Sequence, residues 1–239
     1  MTKREFQLRN SEETIRFERL LDEYRQRRGL HAYRHLPLAQ AHKVLVEHPE
    51  GGKLFVSLFD IQLSRTFLNE DLNTISDVLN RDIRERRSSE LSILADADFF
   101  AERVDFHRAC TNFVLRYRAL WDKAMGALIL LLCSKEYEQF CDAPSRLKTF
   151  GNIMRRTNAL SEGECQKIKK CVMDFNNRFR TDEAHGSGVL RKWSLVVQDG
   201  EDNPIEDFLW ASNELDECLA LISFILNRLR PPEPAGGKA

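Results

Sequence analysis

Phe175 to Trp193 reads FNNRFRTDEAHGSGVLRKW, and it brings together side chains that can act on a phosphate. Arg180 is a permanent fork-shaped cation whose donors match phosphate oxygens. His185, five positions on, is the side chain type that exchanges a proton near neutral pH. Gly186-Ser187-Gly188 follow at once and let the backbone bend freely. A guanidinium and an imidazole at a helix end are a minimal kit for phosphodiester cleavage. Arg178 stands beside Arg180, and Thr181 and Glu183 lie between the pair. Arg191 and Lys192, just downstream, would extend a phosphate-binding surface. Glu183 either orients the imidazole or pairs with Arg180 in an ordinary salt bridge. The plain alternative is that His185 only caps a helix and Arg180 pairs with Asp182 or Glu183 on the surface.

Arg and His at this spacing are common in an Arg-rich chain. Arg25 precedes His31 and Arg28 precedes His35 by similar gaps. What singles out His185 is the strong helical pattern before it and the glycines after it. Other catalytic kits are missing: there is no phosphate-binding G-x-x-x-x-G-K-[ST] loop, G-x-S-x-G elbow, H-E-x-x-H or dinucleotide fingerprint. His42, His48 and His107 lack partners at ligand spacing. The six cysteines form no Cys-x-x-Cys pair, which argues for buried reduced thiols and against zinc. No metal and no cofactor are expected.

The elements that would position these residues read as helices. Ser11 to Gly29 opens on a capping serine with Glu12 and Glu13 in the first turn, and ends in Arg25, Arg27, Arg28 and Gly29. That basic end either complements the helix dipole as a solvated face or, with His31, Tyr33, Arg34 and His35, contacts nucleic acid. Residues 38–63 fit a hairpin around Pro49-Glu50-Gly51-Gly52 or two helices; the Leu54, Leu58, Ile61 spacing favours helices. Leu68, Leu72, Ile75, Leu79 and Ile83 define a clearer helix.

Phe106, Cys110, Phe113, Tyr117, Leu120, Ala124, Ala127 and Leu131 alternate steps of four and three, the seam of one long bundle helix. A shorter helix near Arg146 to Arg156 is interrupted by Gly151. Ser161-Glu162-Gly163-Glu164 is a capping box for a helix carrying Cys165, Ile168, Val172, Phe175 and Phe179 on one stripe. Pro204 opens the last helix, whose buried side is expected to hold Phe208, Leu209, Leu215, Leu219, Ile222, Ile225, Leu226 and Leu229. Trp193 and Trp210 read as core or interface anchors. The expected fold is all-α, an up-and-down helical bundle with an N-terminal helical extension. Residues 1–99 form the N-terminal region, 100–230 the bundle, and 231–239 a disordered Pro/Gly-rich tail. Ser88, Ser89 and Asp96 to Asp98 mark the boundary.

A late helix ending in Arg180, then four residues, then His185, inside a helical bundle, resembles the HEPN superfamily (higher eukaryotes and prokaryotes nucleotide-binding). The resemblance covers Phe100 to Arg230, and Arg180, Thr181 and His185 stand at the places of its Arg, polar and His signature. It implies a metal-independent endoribonuclease in a toxin–antitoxin or phage-defence setting. It also implies a homodimer whose two signatures face one cleft, with RNA as substrate and an antitoxin or other protein as partner. Thr181 departs from the commoner Asn, Asp or His of the family, and some relatives bind nucleotides or partners without cleaving.

Composition sets outer limits. The chain has 239 residues, 42% apolar and 31% charged, as folded domains do. Thirty-six basic and 37 acidic side chains give a net charge of −1, so nucleic-acid binding would need a local patch. The first residues, MTKREFQLRN, show no apolar signal core, and the longest apolar run, Ala124 to Cys133, is too short to span a bilayer. A cytoplasmic location and no membrane partner are expected.

Overall fold

The computed structural model describes residues 11–30, 36–85, 97–180 and 204–229. These residues are all helix, turn and connection; no strand occurs among them, and the architecture is an all-α helical bundle. The helices are α1 (Ser11–Arg27), α2 (His42–Glu47), α3 (Gly51–Glu85) and α4 (Ala97–Cys133). A 3₁₀ turn at Ser134–Glu136 follows, then α5 (Tyr137–Cys141), α6 (Arg146–Thr157), α7 (Glu162–Phe175) and α8 (Pro204–Arg228). The chain divides into two compact units. One is drawn from Met1–Leu63, Lys123–Ser161 and Glu217–Ala239, the other from Ser64–Asp122 and Glu162–Asp216. Each unit therefore takes residues from both sides of position 99.

In the first unit α1 ends as its sequence dictates. Gly29 adopts φ +61, the left-handed conformation that costs glycine nothing. The Leu30 amide then donates to the Arg25 carbonyl at 3.0 Å and the Gly29 amide to that of Gln26 at 3.1 Å, a Schellman closure. Arg25 is buried and donates to Asp22 at 2.9 Å, so the basic end of α1 is not wholly a solvated face.

Residues 38–63 are helical, not a hairpin. The Pro49-Glu50-Gly51-Gly52 stretch joins α2 to α3. A Cβ on Gly51 would lie 1.7 Å from the Leu45 carbonyl oxygen, so only glycine lets the two backbones meet. The two apolar patterns at Leu54–Ile61 and Leu68–Ile83 belong to one continuous helix, α3, because nothing between them breaks the turn. Leu54, Leu58 and Ile61 are fully buried, as are Leu128, Phe150, Met154, Ile222 and Leu226 of the same unit. Gly151 does not interrupt α6; it is buried inside an unbroken helix. That helix ends at Asn158, φ 51, with the Ala159 amide donating to the Met154 carbonyl at 3.3 Å.

The second unit holds an aromatic cluster. Phe113 lies 4.4 Å from Phe208, Tyr117 4.0 Å from Phe175, and Phe179 4.9 Å from Phe175 and 5.1 Å from Phe208, centroid to centroid. Each such ring buries apolar area and adds roughly 0.5–1.5 kcal/mol of ring–ring attraction. All eight seam residues expected on α4 are buried. On α8, Phe208, Leu215, Leu219, Ile222, Ile225 and Leu226 are buried as expected, but Leu209 is 44% and Leu229 46% exposed. Both flank the apolar stripe, whose buried arc is narrower than its apolar one. Trp210 is 39% exposed and so is not a core anchor. Cys110, Cys171 and Cys218 are buried, Cys133, Cys141 and Cys165 half-buried, and all six are free thiols.

Candidate functional site

The segment expected to do chemistry begins where α7 ends. Ile168, Val172, Phe175 and Phe179 are buried along one stripe, and at Asn176–Arg180 the winding widens from an α-helix into a π-helical turn. Such turns are rare and are frequently found at functional positions. Phe179 holds the turn in register by packing between Phe175 and Phe208. The backbones of Arg178 and Arg180 lie in this turn. Thr181, Glu183, His185, Arg191 and Lys192 lie outside the described residues, as do Trp193, the segment from His31 to His35, Ser88, Ser89 and the 231–239 tail.

A second polar constellation went unnoticed in the sequence. On α3, Gln62, Arg65, Thr66 and Asn69 follow one helical stripe, and all four are buried. Gln62 donates to the Leu36 carbonyl at 3.1 Å in the first unit. In the second, the Arg65 guanidinium grips Asp216 of α8 through Nε at 2.9 Å and Nη2 at 3.1 Å, and Nη2 also donates to Ser212 at 2.7 Å. Bidentate guanidinium–carboxylate pairs are the strong class of ion pair. The signal was present as four polar residues at steps of three, one and three, between Ile61 and Leu72. A search for apolar periodicity passes over it.

Asp71, also on α3, accepts from Arg116 of α4 at 2.6 Å, and Arg116 donates to the Phe67 carbonyl at 3.2 Å. The guanidinium sits 5.5 Å from the Phe67 ring centre, within cation–π range. Burial pushes the Asp71 carboxyl up to about 6, outweighing the pull of Arg116 in the other direction. On α7, Cys171 donates to Glu214 of α8 at 3.0 Å; burial and that carboxylate push its thiol up to about 12. A thiol so held is a poor nucleophile. These groups pair with one another and serve the packing of the helices.

No group of His, Cys, Asp and Glu suited to a metal ion occurs among the described residues. No helix among them is long and apolar enough to cross a membrane. No family model matches the chain, and neither a curated protein nor a solved structure shows significant similarity to it.

Proposed function

We propose that the chain is a metal-independent endoribonuclease of HEPN type, with Arg180 and His185 as its catalytic residues. The observation that carries this reading is the π-helical turn at Asn176–Arg180, which interrupts regular winding where the Arg-x4-His run begins. A rigid aromatic anchor, Phe179, stands inside that turn, and catalytic groups work best when supported by packed neighbours. In this mechanism His185 takes the proton of the 2′-hydroxyl as that oxygen attacks the adjacent phosphorus. The 5′-oxygen leaves and receives a proton from the His185 of a second copy. Arg180 offsets the charge growing on the phosphorane oxygens. The products are a 2′,3′-cyclic phosphate and a 5′-hydroxyl. Arg178, Thr181, Glu183, Arg191 and Lys192 support the site or hold neighbouring phosphates. A homodimer, an antitoxin or other protein partner, a toxin–antitoxin or phage-defence setting and a cytoplasmic location belong to the same proposal.

The test is incubation of purified protein with mixed RNA in EDTA, beside Arg180→Ala and His185→Ala. Cleavage that persists in chelator and is lost in both variants supports the reading. Equal cleavage by His185→Ala and wild type removes it. RNA bound but never cut leaves a non-catalytic, nucleotide-binding helical protein.

A further inference from the structure

α6 is unusual in its charge. Its sequence, RLKTFGNIMRRT, carries four cations and no carboxylate, in a chain whose net charge is −1. One side of the helix is spent on the core, where Phe150, Gly151, Ile153 and Met154 are buried. Lys148, Asn152, Arg155 and Arg156 recur at i, i+4, i+7 and i+8, which places them on the opposite face, and all four are exposed. Arg156 is engaged with Glu136 and, at 3.4 Å, with Gln139. Lys148 and Arg155 have no ion-pair or hydrogen-bond partner among the described residues.

We propose that this face of α6 is a docking surface for the phosphate backbone of single-stranded RNA. The inference rests on the reading of RNA as the ligand and adds where the strand is held. Lys148 and Arg155 stand seven residues apart, ~10 Å along the axis at 1.5 Å per residue. The Asn152 amide between them both donates and accepts, so it can meet a phosphate, a 2′-hydroxyl or a base edge. A lipid surface fits less well, because the apolar side of α6 is already buried and leaves nothing to insert. Charge complementarity thus favours a flexible polyanion lying along the helix.

Binding is read on the full chain carrying His185→Ala, with a fluorescent single-stranded RNA titrated across a range of salt. Adding Lys148→Gln and Arg155→Gln is expected to weaken binding about tenfold near ~0.1 M salt. It should also flatten the salt slope by about 1.4, at ~0.7 per phosphate contact on a single strand. The control, Arg16→Gln with Arg19→Gln on α1, removes the same charge from two exposed side chains outside the basic end of that helix and should change affinity by less than about twofold. Circular dichroism keeps a folding failure visible, and the single variants Lys148→Gln and Arg155→Gln then carry the comparison. Equal weakening by both pairs, unchanged binding in the α6 variant, no RNA binding at all, or preferential binding to anionic vesicles or polyglutamate would each overturn the proposal. Binding that depends on α6 without any cleavage by the wild-type chain would sink the nuclease reading and leave this one standing. Cleavage with α6-independent binding would do the reverse.

Discussion

Arg65 and Asp216, 151 positions apart in sequence, meet in a two-pronged ion pair with the guanidinium almost wholly buried. Asp216 keeps about a quarter of its side chain in solvent, so the pair is anchored from the arginine side. Asp216→Ala removes the carboxylate from a buried guanidinium that still donates to Ser212, and should cost about 3–5 kcal/mol in urea unfolding. The double variant Arg65→Met with Asp216→Leu should lose much less than the sum of the two single changes, because no charge is then stranded. Strict additivity would count against the pair as described.

The Asp71 carboxyl gives stability a pH dependence of definite sign. Its folded value is about 6, above the ~3.9 of an unfolded Asp. The folded chain therefore binds more protons than the unfolded one between those values, and this group's contribution to stability falls as pH rises from about 4 to about 6. Asp71→Asn should flatten that part of a pH series of denaturation midpoints. An unchanged slope would mean that Arg116 keeps the carboxylate ionised throughout.

Gly51 has no room for a side chain. Gly51→Ala would place a methyl group against the Leu45 carbonyl, and the atoms it meets are backbone with no flexible side chain to yield. A loss of more than about 2 kcal/mol is expected, against a gain of a few tenths for Gly163→Ala, whose Cβ meets nothing. Thermal melts of the two variants make the comparison.

Phe179 joins the packing of the second unit to the segment proposed for catalysis. Phe179→Ala should cost about 3–5 kcal/mol as a core truncation. Phe179→Leu should retain the fold and, if the π turn positions Arg180, lower RNA cleavage more than RNA binding. Cleavage and affinity falling together would leave Phe179 a packing residue only.

Cys171 should resist modification. Its thiol is buried and pushed up to about 12, so iodoacetamide at neutral pH should label the half-buried Cys133 or Cys165 first. Peptide mass spectrometry over a time course reads the order directly.

Particular elements explain what was legible in the sequence. The α4 seam from Phe106 to Leu131 could be read residue by residue, because a helix packed along its length repeats its apolar positions at a fixed angle. The closure of α1 at Gly29 was equally plain, since few residues take positive φ. Leu209 and Leu229 misled because apolar side chains at the edge of a stripe need not be covered. The buried run from Gln62 to Asn69 stayed hidden for another reason: its partners include Ser212 and Asp216, which no local window contains. The stripe of Phe175 and Phe179 marked the helical run that carries the Arg180 backbone, whereas His185 lies outside the described residues.

The forked grip of Arg65 also restricts how α8 can be aligned against α3. Leucines and phenylalanines of similar size tolerate sliding, since one greasy surface replaces another. A shift of α8 by one turn, ~5.4 Å, would present Leu219 or Ala220 to the guanidinium in place of the carboxylate. Alternative alignments are thereby penalised even where the hydrophobic contact is equally good, and the cluster acts as a ruler between two greasy rods more than as glue.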